Sequence, residues 1–170
     1  FGGGSSYIAI LLLFNIPFET IPLIALICNI IVVAGSSYKH FKSSNVHWKF
    51  LTPFLITSIP MAYIGGAIDI EKDLLKLILG LCLLVAGIRM IFFKKPKYTD
   101  YSFPKISISM LLGIGLGFIS GLVGIGGGIF LSPILFNFHW GSAKQITAIC
   151  SYFILFNSLM TAIGIWKYIP

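Results

Sequence analysis

The spacing of the charges confines this chain more than any other feature. Residues 20–38, 50–68, 77–88, 106–138 and 145–166 contain no Asp, Glu, Lys or Arg. A helix needs about 20 apolar residues to cross roughly 30 Å of hydrocarbon, and most of these stretches reach that length. With 57% hydrophobic and 10% charged residues, and a mean hydropathy of +0.97, the chain lacks the polar surface that a soluble domain of its size requires. The expected fold is all-α: a polytopic helical membrane protein. Phe1-Gly2-Gly3-Gly4 starts within an apolar element and Pro170 closes without a polar tail, so both ends read as cut.

The connecting segments set an orientation. Residues 39–49 carry Lys39, Lys42 and Lys49 without an acid, and residues 94–105 carry Lys94, Lys95, Lys97 and Lys105 against Asp100. Between them lie Asp69, Glu71 and Asp73 with one Lys72. Lys and Arg concentrate in cytoplasmic loops, so 39–49 and 94–105 are expected inside and the acidic segment outside. The net charge of +7 then reflects topology and attraction to anionic lipid, and nucleic acid is not an expected partner. Trp48, Trp140, Trp166, Tyr38 and Tyr168 fall near segment ends, as interfacial anchors do.

The chain also repeats itself. Residues 11–29 align without gaps on residues 133–151: Leu13-Phe14-Asn15 meets Leu135-Phe136-Asn137, and Ile27-Cys28 meets Ile149-Cys150. Further on Ser36 meets Ser158, and Gly2-Gly3-Gly4 matches Gly126-Gly127-Gly128 with a two-residue slip. The expected organisation is a first repeat over residues 1–105, lacking its N-terminal half-helix, and the opening of a second over 106–170.

The second glycine cluster interrupts the longest uncharged stretch. A straight helix over 106–138 would run about 50 Å, well beyond the bilayer core. Residues 124–128 are the natural break. A broken helix exposes backbone N–H groups and the positive end of its dipole, the arrangement with which transporters hold anions. Gly113, Gly117 and Gly121, at four-residue spacing, read instead as a small-residue face against another helix. No Lys-Ser or Lys-Thr comes after the cluster, which argues against a nucleotide-binding loop.

Gly124-x-Gly126-Gly127-Gly128 followed by Pro133, after the run GIGLGFISGLVG, resembles the signature of the TauE/SafE family of sulfite exporters. A duplicated multi-helix unit with a glycine cluster opening each copy is also similar to that family. The resemblance implies a secondary transporter, an exporter of sulfite, sulfonates or related small sulfur-containing anions, with seven or eight helices when complete. The first repeat departs from the pattern in placing Ala9 or Leu11 where the second has Pro133.

The expected substrate-binding residues are therefore Gly2, Gly3, Gly4, Gly124, Gly126, Gly127, Gly128 and Pro133. Asn29 and Ser36, with Ser151, Asn157 and Ser158 in the counterpart segment, could supply neutral hydrogen bonds, although such residues also join helices to one another. Cys28 and Cys150 occupy matching positions and read as small apolar fillers. Three cysteines without a CxxC arrangement imply no metal site, and no catalytic constellation or cofactor is expected. The partners implied are a small anion and the lipid bilayer, in a bacterial inner membrane. A passive anion channel, and a structural assembly protein without transport activity, remain the alternatives.

Overall fold

The computed structural model describes residues 20–42, 46–68 and 104–166, with isolated positions between 7 and 14 and between 71 and 88. Residues 2–4, Arg89, Tyr168 and most of the 94–105 loop lie outside the described residues. The described helices are α1 (Ile21–Lys42), α2 (Trp48–Gly66), α3 (Ile106–Val123), α4 (Gly128–Asn137) and α5 (Ala143–Ile165). No strand occurs among the described residues. Three of the helices, α1, α3 and α5, are long and apolar enough to cross a membrane.

The packing is decided by small residues. α2 and α3 run parallel and in close contact because glycines remove the side chains that would hold them apart. A Cβ on Gly117 would lie 2.5 Å from the Ser58 carbonyl oxygen and 2.6 Å from Ser58 Cα. One turn earlier Gly113 faces Phe54 and Thr57, and one turn later Gly121 faces Ala62, Gly65 and Gly66. The four-residue glycine spacing is thus the α2–α3 seam. α5 also lies parallel to α2: Thr161 Oγ1 donates to the Ala62 carbonyl at 3.4 Å, and Trp48 packs on Tyr152 with ring centroids 5.2 Å apart.

α1 runs antiparallel to α5. Ser36 and Ser151 hydroxyls meet at 3.2 Å and Tyr152 donates to the Ser37 carbonyl at 3.0 Å. Further back along α1, Asn29 comes level with Ser158, since a Cβ on Gly126 would stand 3.6 Å from Asn29 Nδ2 and 2.5 Å from Ser158 Oγ. The two helices begin at Ile21 and Ala143, positions that the gap-free alignment pairs. Ser36 and Asn29 are the counterparts of Ser158 and Ser151, so the crossing pairs each residue with the counterpart of the other's partner. That exchange is what a two-fold axis between α1 and α5 produces.

The break falls where the glycines place it, and the chain reverses there. Gly124 ends α3 in the left-handed region at φ 71°, its N–H bonded to the Ser120 carbonyl at 2.9 Å. Gly126 and Gly127 come next at φ 81° and 75°. α4 then returns alongside α5 instead of continuing α3. Its Leu131 and Leu135 join Phe50, Leu51, Phe54, Ile146, Ile149 and Phe153 in one buried cluster, and Trp140 at its far end meets Phe50 at 6.4 Å. With 10 residues α4 covers about 15 Å, half a bilayer core, so α3 and α4 form a re-entrant hairpin.

The hairpin closes on a second turn. His139 adopts φ 56° and Trp140 N–H reaches back to the Leu135 carbonyl at 3.0 Å, closing the end of α4. Ser142 and Gln145 then cap α5 reciprocally, hydroxyl to backbone N–H and side-chain oxygen to backbone N–H. This reversal corrects one expectation: Trp140 is no interfacial anchor but is buried, stacked on Phe138 and edge-on to Phe50. Trp48, Trp166 and Tyr38 are exposed.

Candidate functional site

The re-entrant turn sits deep among its neighbours. Residues 123–128 are all buried. Gly124 packs against Pro22 near the start of α1, and the chain then descends until Ile125 and Gly126 lie between Asn29 of α1 and Ser158 of α5. Asn29 lies two turns into α1 and Ser158 two turns before the end of α5, which puts the turn about 12 Å from those helix ends. Only glycine satisfies the geometry here. The left-handed backbone costs a side-chain-bearing residue roughly 1–2 kcal/mol, and the space is taken as well. A Cβ on Gly127 would come within 2.9 Å of Phe153 Cε1 and 3.1 Å of Ser120 Oγ.

The start of α4 lies in this enclosed region. Phe130 and Leu131 N–H groups both bond to the Gly127 carbonyl, which leaves the Gly128 and Ile129 N–H groups at the start of α4 without an intrahelical acceptor. No side chain caps the helix. The helix dipole adds about half a positive charge at the same point. No basic side chain is buried among the described residues, so the positive group at the turn is the start of α4 itself, next to the negative end of α3.

Around the turn stand polar side chains with unmet hydrogen-bonding capacity. Asn29 donates through Nδ2 to the Ile125 carbonyl at 3.0 Å, which pins the turn, but its Oδ1 has no partner. Ser120 Oγ beside Gly127, Ser158 Oγ beside Gly126, Ser58 Oγ on α2 and both amide atoms of Asn157 are buried without a partner among the described residues. Asn157 is one turn along α5 from Phe153, which faces Gly127, and one turn before Thr161, which faces Ala62. Each unpaired buried group costs about 1–3 kcal/mol. A native fold carries few of them, and Ser37 Oγ, farther along α1, is a further one.

The sequence-derived residues divide accordingly. Gly126, Gly127, Gly128, Asn29 and Ser158 come together at the turn, with Gly124 as the cap of α3 and Asn157 on the adjoining face of α5. Ser36 and Ser151 bind each other one helical segment away, and Ser151 also donates to the Thr147 carbonyl at 2.9 Å. Pro133 lies half-buried within α4, where it leaves the Ile129 carbonyl without its usual donor. Gly2, Gly3 and Gly4 lie outside the described residues.

Sequence reasoning missed Ser58 and Ser120. Ser58 stands on the α2–α3 glycine seam opposite Gly117, and Ser120, one residue before Gly121 of that seam, faces Gly127. A hydroxyl on an otherwise close-packed small-residue face is the signal that could have found them. Cys150 is buried in the apolar cluster with Leu131 and Phe153, and Cys28 is half-buried. No group of three or more His, Cys, Asp or Glu side chains that could hold a metal ion occurs among the described residues.

Comparison with known proteins covers the same ground. The family model described as "Sulfite exporter TauE/SafE" matches residues 1–169. The chain is 31% identical over 175 residues to the "Probable membrane transporter protein y4hK" of Sinorhizobium fredii, covering 99% of this chain and 71% of that protein. It is 33% identical over 103 residues to the "Probable membrane transporter protein MJ0441" of Methanocaldococcus jannaschii, covering 59% of this chain and 39% of that one. No solved structure matches it.

Proposed function

The chain belongs to the TauE/SafE sulfite exporter family and is a membrane transporter of that class; from this premise we propose that it exports sulfite or a related small sulfur-containing anion, bound at the re-entrant turn. One observation carries the reading: the buried N-terminus of α4, with N–H groups that lack an intrahelical acceptor and uncharged hydroxyls and amides around it. Fixed backbone donors and the dipole suit an oxyanion, and charge-assisted bonds to such donors are stronger than neutral ones. Because no fixed cation holds the ion, it can also leave, which transport requires.

The two-fold relation of α1 and α5 supports the remainder of the proposal. Antiparallel counterparts are the signature of inverted repeats, with residues 1–105 and 106–170 as the two units, and inverted repeats rock around a central site in secondary transporters. Lys39, Lys42, Lys49, Lys105 and Lys144 all lie at one end of the helices, and Glu71 and Asp73 come after the other end of α2. The lysine-rich end is proposed to face the cytoplasm of a bacterial cell.

Counterflow of labelled sulfite in proteoliposomes tests the function. Saturable exchange that competes with other small oxyanions is the expected result. A non-saturating conductance would favour a channel instead, and no anion flux of either kind would leave a structural role. Orientation is checked with single cysteines, placed in a cysteine-free background at Lys144 and at Asp73. They should label from opposite sides of the membrane, Lys144 from the cytoplasm.

A further inference from the structure

The N-terminus of α4 accounts for an anion but not for every polar group around the turn. Ser58, Ser120 and Asn157 lie on α2, α3 and α5, three helices that pack against one another, and each is fully buried. The parallel register of α2 and α5, fixed by Thr161 on Ala62, puts Asn157 at the level of Ser58 one turn earlier. Ser58 also faces Gly117, one turn before Ser120 on α3. Together they offer neutral oxygens with no partner among the described residues.

Two electrostatic facts bear on what completes this group. The C-terminal end of α3 meets the N-terminal start of α4 within one turn of chain, so a negative and a positive helix end lie side by side. The described buried polar residues are Asn, Ser and Thr throughout, so the anion's own charge has no ionic counterpart there, nor does any of them carry a titratable proton. Moving an anion into such surroundings is costly unless a mobile countercharge enters with it.

We propose that the oxygens of Ser58, Ser120 and Asn157, beside the C-terminal end of α3, bind a Na⁺ ion while the anion occupies the turn. The chemistry fits a hard monovalent cation. Hydroxyl and amide oxygens are its ligands, carbonyls at a helix C-terminus add to them, and the absence of a carboxylate among these groups keeps affinity low enough for release. The ion satisfies acceptor atoms that the fold otherwise leaves unpaired, and it offsets the charge of the anion across the turn. This inference rests on the anion reading above in its coupling, but the cation site has its own readout.

Binding of radiolabelled Na⁺ to the purified protein measures the site directly, and sulfite counterflow with and without Na⁺ at constant pH measures the coupling. Saturable Na⁺ binding is expected, tightened by sulfite, and replacing Na⁺ with N-methylglucamine should slow counterflow about tenfold or more. Ser120→Ala removes one oxygen with little change of volume. It should raise the Na⁺ concentration for half-maximal binding about tenfold. Asn157→Ala should do the same if the protein remains folded, with Ser120→Ala deciding if it does not. Counterflow that proceeds undiminished without Na⁺, or Na⁺ binding that is absent or indifferent to Ser120→Ala, overturns the cation site and leaves the anion reading standing. Na⁺ binding without any sulfite flux overturns the anion reading and the coupling alone.

Discussion

The uncharged stretch from Ile106 to Phe138 contains two kinds of glycine, and they do opposite things. Gly113, Gly117 and Gly121 keep helical geometry and let α2 approach until backbone touches backbone. Gly124, Gly126 and Gly127 take left-handed angles and stop the helix. The first set works through the missing side chain, the second through the freed φ. A few residues apart, one amino acid therefore supplies tight packing and a buried helix N-terminus. The seam brings α2 and α3 into backbone contact on one side of the turn, and the turn starts a new helix on the other.

The largest expected effect is on the seam. In Gly117→Leu even the first side-chain atom would stand 2.5 Å from the Ser58 carbonyl oxygen, and backbone cannot yield as a flexible side chain can. Overpacking typically costs about 1–3 kcal/mol, and more where main chain must move. Folded protein recovered from membranes should fall steeply. If Gly117→Leu is recovered in normal yield as a single species, α2 and α3 do not depend on that contact.

Gly127→Val should separate transport from folding. A β-branched residue at φ 75° is strained, and its side chain would press on Phe153 and Ser120 beside the N–H groups. Transport should be lost while much of the protein stays in the membrane. Gly127→Ala should be milder, weakening sulfite affinity about ten- to a hundred-fold through disturbed hydrogen bonds. Equal loss of folded protein in Gly127→Val and Gly117→Leu would erase the distinction between the two glycine sets.

A smaller effect is expected inside the apolar cluster. Cys150→Ser buries a hydroxyl where a thiol now lies in the apolar cluster that includes Leu131 and Phe153, a cost of about 1–3 kcal/mol unless it bonds back along α5. Transport per folded molecule should be unchanged. Lost transport in well-folded Cys150→Ser would give the thiol a chemical role that its apolar neighbours do not suggest.

Much of this contrast could be read from the residues. Uncharged stretches announced α1, α3 and α5 as helices long enough to span, four-residue spacing announced the seam, and an overlong apolar run with clustered glycines announced a break. The direction of α4 was not legible as such, because a glycine cluster permits a reversal and a straight interruption equally. The decisive signal was the shortness of the segment after the cluster: Gly128–Asn137 is too short to finish a crossing before Ser142-x-x-Gln145 starts the next helix. Trp140 was misread for the same reason, since a tryptophan at a helix end belongs at the lipid interface only if that end reaches it. Ser58 and Ser120 stood out in the sequence only as hydroxyls among small residues, and it is the return of the chain at Gly127 that brings Ser120 to the turn.

Gly115 supplies the control, and the smallest expected effect. It stands between Gly113 and Gly117 in the same run, but it faces away from α2, is exposed, and nothing lies within 4 Å of where its Cβ would be. It serves neither the seam nor the turn. Glycine within a helix is less favourable than alanine by up to about 1 kcal/mol in water, so Gly115→Ala should leave transport unchanged and raise the melting temperature slightly, if at all. A thermal melt of the purified protein beside Gly117→Ala makes the comparison sharp, because the same methyl group at position 117 meets Ser58. If Gly115→Ala destabilises as much as Gly117→Ala, glycine content rather than glycine position governs α3. The face of α3 that carries Gly115 would then need a packing partner of its own.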